Sequence, residues 1–151
     1  MEINKKELRK ISRRFRTLAS NVMNAYFEEQ TDALIEFLDY IKRTSLIFDY
    51  VESLAYDIEG LESELDRIAS SYGSKALELG TDSRRRTYLV YRAFDYIALK
   101  KLSTTNFGWY YAHSKKYQDM AKAFGDRLIY PFVLEIEEYI EARIKDDDLF
   151  A

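Results

Sequence analysis

Cysteine is absent from the 151 residues, which removes disulfides, thiolate metal sites and cysteine nucleophiles together. A chain without cysteine fits a reducing compartment, so a cytoplasmic location is the expectation. The single histidine, His113, leaves too few ligands for a zinc site and no second member for a di-iron bundle, which asks for two Glu-x-x-His pairs. Neither a metal nor a cofactor is expected. One proline and five scattered glycines supply no glycine-rich phosphate loop, and they leave long runs free to form helices. No apolar run approaches the roughly 18 residues needed to cross a bilayer. The basic residues of the first turns are not followed by the apolar core of a secretory signal, so no membrane role is expected.

What is present is apolar residues at helical spacing. With 47% hydrophobic and 32% charged residues, the chain reads as one globular helical domain over 1–151. Its organising stretch carries Ile47, Val51, Leu54, Ile58, Leu61, Leu65, Ile68 and Tyr72, a 4-3-4-3-4-3-4 stripe along one side of a helix. Read without interruption over 32–72, that helix has about 41 residues and a length on the order of 60 Å. Thr44-Ser45 is its expected kink, Gly60 a local cost, and Gly73 its stop. A first helix starts after Asn4, with Glu7 completing a loose capping box, and ends near 28–31. A third, apolar on nearly every side, runs from about 81–82 to 102 and belongs in the middle of the bundle, with Arg92 and Asp95 as an ion pair on its surface. Residues 103–108 read as a turn, a fourth helix follows to Phe124, and a last one begins or kinks at Tyr130-Pro131. The fold class is therefore all-α, an antiparallel bundle of four to five helices whose second member is unusually long.

The net charge of −3 conceals segregation. Residues 1–16 hold seven Lys/Arg against two acids and residues 83–127 hold ten against three, whereas residues 28–66 hold two against twelve. Such blocks either pair with one another, within the fold or across a dimer, or face a charged partner. Catalytic constellations are missing from the pattern. His113 beside Ser114 is adjacency rather than a triad, and His113 is expected to sit partly buried among Trp109, Tyr110 and Tyr111. The HEPN class of helical ribonucleases carries an arginine four to six residues before a histidine. Here those positions are Trp109, Gly108 and Phe107.

The first functional reading is a non-enzymatic interaction or assembly module that binds a protein partner, or a second copy of itself, through Ile47, Val51, Leu54, Ile58, Leu61, Leu65 and Ile68. The positions flanking that stripe lack the opposite charges of a parallel zipper, so an antiparallel contact, with the basic first helix along the acidic second, suits better. A second reading places nucleic acid on a basic, tyrosine-rich face of residues 84–127, through Arg84, Arg85, Arg86, Tyr88, Arg92, Lys115 and Lys116. Three arginines in a helix's first turn oppose its positive end, which an anion bound there would explain. The alternative is that they reach the acidic block at 49–66. A third reading is the helical domain of a bacterial defence-type protein that lacks a nuclease motif.

Overall fold

The computed structural model describes residues 3–150, with side chains described through residue 146, and every regular element in that span is helical. The all-α class is as expected, but the four-to-five-helix bundle with a long second member is not the architecture. Among the described residues there are eight α-helices, some of them very short.

Asn4 opens α1 (Lys5–Asn24), its side chain accepting the Glu7 N–H at 2.9 Å. Leu8, Phe15, Leu18 and Val22 bury one stripe, and extended Ala25 ends the helix slightly before the expected 28–31. The next helix, α2 (Gln30–Arg43), stops where only a kink was expected. At Thr44 the backbone turns extended (φ −105°, ψ 95°), and the threonine hydroxyl donates to the Tyr40 carbonyl at 2.6 Å in place of a continued helical ladder. After it α3 (Ser45–Ser53) restarts at once, residues 55–59 are not helical, and Gly60 (φ +67°) introduces α4 (Leu61–Ala69). The long helix is thus broken twice. The reason is cover: a stripe on the order of 60 Å would overrun every other rod, the longest of which ends in α8 (Tyr130–Phe150) and, taken back to residue 117, spans about 51 Å. Folded back at Thr44 and Gly60, the stripe is shielded by the chain itself. Ile47, Val51, Leu61, Leu65 and Ile68 are buried, and Leu54 and Ile58 half-buried. Tyr72, expected at its end, is 83% exposed.

The middle of the molecule is α5 (Ser83–Lys100), buried over Thr87–Tyr91 and at Ala93, Phe94 and Ile97, and packed on α2, α3, α4 and α8. The residues expected to form a turn instead start α6 (Thr105–Ala112), which packs tightly on α7 (Tyr117–Phe124). Gly108 permits that approach. A Cβ there would lie 2.1 Å from the Met120 carbonyl oxygen and 2.8 Å from the Phe124 nitrogen. A π turn (Gly125–Ile129) joins α7 to α8 without a break, so the described helices make seven rods. Pro131 explains the turn's place. Proline lacks an N–H and crowds the carbonyl four residues back, and the wider spiral, with the Tyr130 N–H on the Gly125 carbonyl, relieves that crowding.

Five fully buried phenylalanines, one each from α1, α2, α5, α7 and α8, hold these rods together. Phe15 meets Phe37 at 5.2 Å, Phe37 meets Phe132, and Phe94 meets both Phe132 at 5.4 Å and Phe124 at 5.7 Å. Burial of each contributes roughly 1.5–3 kcal/mol. One buried polar side chain is fully used: Gln30 donates to the Val22 and Ala121 carbonyls at 3.0 and 2.9 Å and accepts from the Thr104 hydroxyl. It ties α1, α2, α7 and the start of α6 at one point.

Candidate functional site

The stripe proposed for partner binding faces inward. All seven of its candidate residues, Ile47 to Ile68, belong to the core or pack against it. The start of α5 is also engaged. Asp82 caps that helix, its carboxylate accepting the N–H groups of Arg84 and Arg85 at 3.0 and 3.2 Å, so a carboxylate of the chain already occupies the place an anion would take. The Arg85 guanidinium lies over the Tyr56 ring at 5.1 Å. Arg84 acts on Tyr50, which stacks on Tyr139 at 4.0 Å; burial, then the nearby Glu135 carboxylate, raises the Tyr50 pKa, and Arg84 partly offsets them. Ser83 donates to Glu135 at 3.4 Å.

The remaining members of the expected basic face have other neighbours. Arg92 donates to the hydroxyl of buried Tyr88 at 3.2 Å. It is not the partner of Asp95, which pairs with Lys42 of α2 instead. Lys115 and Lys116 are exposed on the α6–α7 loop, beside Tyr117, whose ring rests on Phe27 at 5.2 Å. Arg85 therefore leans on the connector after α3, while no ion pair is formed by Arg84, Arg86, Lys115 or Lys116 among the described residues. His113, expected partly buried, is exposed and closes α6 with φ +50°. The Ser114 hydroxyl donates to Asp119 at 2.7 Å rather than to the imidazole.

The largest run of exposed cations without ion pairs among the described residues is on α1. Its apolar stripe uses one side of the helix, and the basic residues fill the other. Arg16 lies 4.0 Å from Glu137 of α8. Lys6, Arg9, Lys10, Arg13 and Arg14 are exposed, and among the described residues none of the five forms an ion pair. No carboxylate occurs on the helix after Glu7. Its exposed side continues past the cations with Thr17, Ser20, Asn21 and Asn24, over a helix about 30 Å long. Helix stability does not account for this. The cations crowd the positive end of the dipole, and Lys6/Lys10, Arg9/Arg13 and Lys10/Arg14 are like-charge neighbours four apart, each unfavourable by about 0.2–0.5 kcal/mol.

The chain matches no protein-family model, no curated protein and no solved structure.

One border of the α1 face carries a carboxylate. Glu137 accepts from the Ser12 hydroxyl at 2.8 Å through Oε2, while its buried Oε1 has no hydrogen-bond partner. Burial raises its pKa above the ordinary carboxylate value, against the opposing effects of Ser12 and Arg16. What the face can do is hold anions, with guanidinium and ammonium groups for charge and hydroxyl and amide groups for hydrogen bonds. The sequence displayed the signal, since no acid follows Glu7 until Glu28 and the like charges repeat every fourth residue.

Proposed function

We propose that this chain is a non-enzymatic helical interaction module whose working surface is the solvent side of α1, and that it binds a polyanionic partner. The observation that carries the reading is the set Lys6, Arg9, Lys10, Arg13 and Arg14, exposed and without ion pairs on a helix whose other side is fixed in the core. Opposite charge is the complement such a face calls for, and the association should weaken as salt screens it. The engaged state of Ser114 and the exposed, capping position of His113 also favour binding over catalysis.

The test is retention of the full chain on an immobilised sulfated polysaccharide across a salt gradient. Wild type should elute late, and the variant combining Lys6→Gln, Lys10→Gln, Arg13→Gln and Arg14→Gln should elute near the void. Co-elution of the two would sink the reading. A second reading, association of two copies, is favoured by the exposed acids Asp32 and Glu36 of α2, which one copy would offer to the α1 of another. Sedimentation at low salt separates it, because the same four substitutions would then dissolve a dimer.

A further inference from the structure

The exposed side of α1 carries no aromatic ring. Phe15 is its only aromatic residue and is fully buried, while the exposed tyrosines Tyr26, Tyr72, Tyr110, Tyr117 and Tyr130 belong to other segments. A face that binds single-stranded nucleic acid combines cations with rings on which bases stack, and α1 offers none. A face for an acidic protein needs cations too, but it gains little from a further run of neutral hydroxyls and amides. Phosphate and sugar oxygens use both, since arginine, lysine, serine, threonine and asparagine are all common phosphate-contacting side chains. Here the cations of Lys6 to Arg14 are continued along the same rod by Thr17, Ser20, Asn21 and Asn24. Charge density points the same way. The five unpaired cations lie within about 12 Å of helix axis, a crowding suited to a duplex that presents one negative charge per roughly 1.7 Å.

From this we infer that the partner of α1 is double-stranded nucleic acid, gripped by its phosphate backbone without stacking of bases. The inference rests on the reading of α1 as the working face and narrows it to one class of macromolecule. Flanking α2 and α8 cover the sides of α1, so the ridge itself meets the backbone. Five cations on phosphates correspond to a log–log slope of affinity against salt of about −4.5, roughly a 500-fold loss between about 50 and 200 mM.

The experiment is fluorescence anisotropy with the full chain and labelled duplexes of about 20 base pairs, DNA and RNA in separate arms, together with a single strand, polyglutamate and anionic vesicles. Saturable binding to either duplex with the steep slope is expected, and the preferred arm identifies which nucleic acid it is. The Lys6, Lys10, Arg13, Arg14 quadruple glutamine variant should lose at least about 100-fold and flatten the slope by about one per cation removed. A variant with Arg84, Arg85 and Arg86 all changed to Gln should bind as wild type. Circular dichroism of both variants keeps folding out of the comparison. Retention on sulfated polysaccharide with no duplex binding, or tighter binding to polyglutamate or vesicles, would overturn the inference while leaving the polyanion module standing. Preference for the single strand, or a quadruple variant that still binds duplex, would overturn it as well.

Discussion

The arginines that begin α5 and the cations along α1 differ in what the fold places opposite them. At α5, Asp82 takes two backbone N–H groups, Tyr56 lies under Arg85, and Glu135 accepts from the Ser83 hydroxyl. On α1 Arg16 has Glu137 at 4.0 Å, a carboxylate drawn inward by Ser12, whereas Lys6, Arg9, Lys10, Arg13 and Arg14 form no ion pair among the described residues. Density of positive charge in a sequence is therefore a poor guide to an anion site. What decides it is whether the neighbouring helices bring acids and rings to the same place, and that is a property of packing.

The comparison breaks most directly if the two clusters are neutralised separately. The four-residue change on α1 should cost at least about 100-fold in polyanion affinity, whereas glutamine at 84, 85 and 86 should change it by less than about threefold, measured by anisotropy or salt-gradient elution. Removing the cap sharpens the contrast from the other side. Asp82→Ala should cost about 1 kcal/mol in chemical denaturation and, by releasing the N–H groups of Arg84 and Arg85, should raise anion binding at α5, readable as a new salt-sensitive component in the α1-neutral background. Smaller still is the stability effect on α1. Lys10→Gln relieves two like-charge contacts and should leave the denaturation midpoint unchanged or raise it by a few tenths of a kcal/mol. A loss of more than about 1 kcal/mol would mean that these cations hold the fold, and the comparison would fail.

The least of these effects depends on pH. Because burial holds the Glu137 pKa above its ordinary value, the folded chain binds that proton more tightly than the unfolded one. The group therefore costs no stability in acid, below the unfolded value, and a growing amount as pH rises through the raised folded value, levelling off above it. Glu137→Gln should accordingly melt higher than wild type at neutral pH, with the difference shrinking on acidification. Melting curves that run parallel at all pH values would remove the burial argument.

Much of the fold was legible because periodicity reports which side of a helix is buried. The stripe of α1, the Asn4 cap and the central place of α5 all follow from residue spacing. The same signal was blind to continuity. Ile47, Val51, Leu61 and Leu65 keep one spacing across two helices and a non-helical connector, so their pattern could not reveal the breaks at Thr44 and Gly60. Those breaks depend on how long the covering rods are, a quantity set by the whole chain. The start of α6 at Thr105 was hidden for a related reason: Gly108 reads locally as a turn former, and only the backbone of α7 pressed against it shows why the residue has no side chain. For the site, the charge of residues 1–16 was plain, but which clusters would find partners depended on Asp82, Tyr56 and Glu137, whose positions no spacing rule supplies.

The π turn before Pro131 sets the angular phase of everything after it. Its wider winding accommodates one residue more than an α-helix would, so deleting a single position from Gly125–Ile129 would rotate the last rod by about 100° about its own axis. Phe132, Ile136 and Ile140 would swing away from the phenylalanine cluster, and Glu137 would leave Ser12. One residue of slack thus acts as the indexing pin that keeps α8 facing α1, and with it the edge against which the basic ridge is exposed.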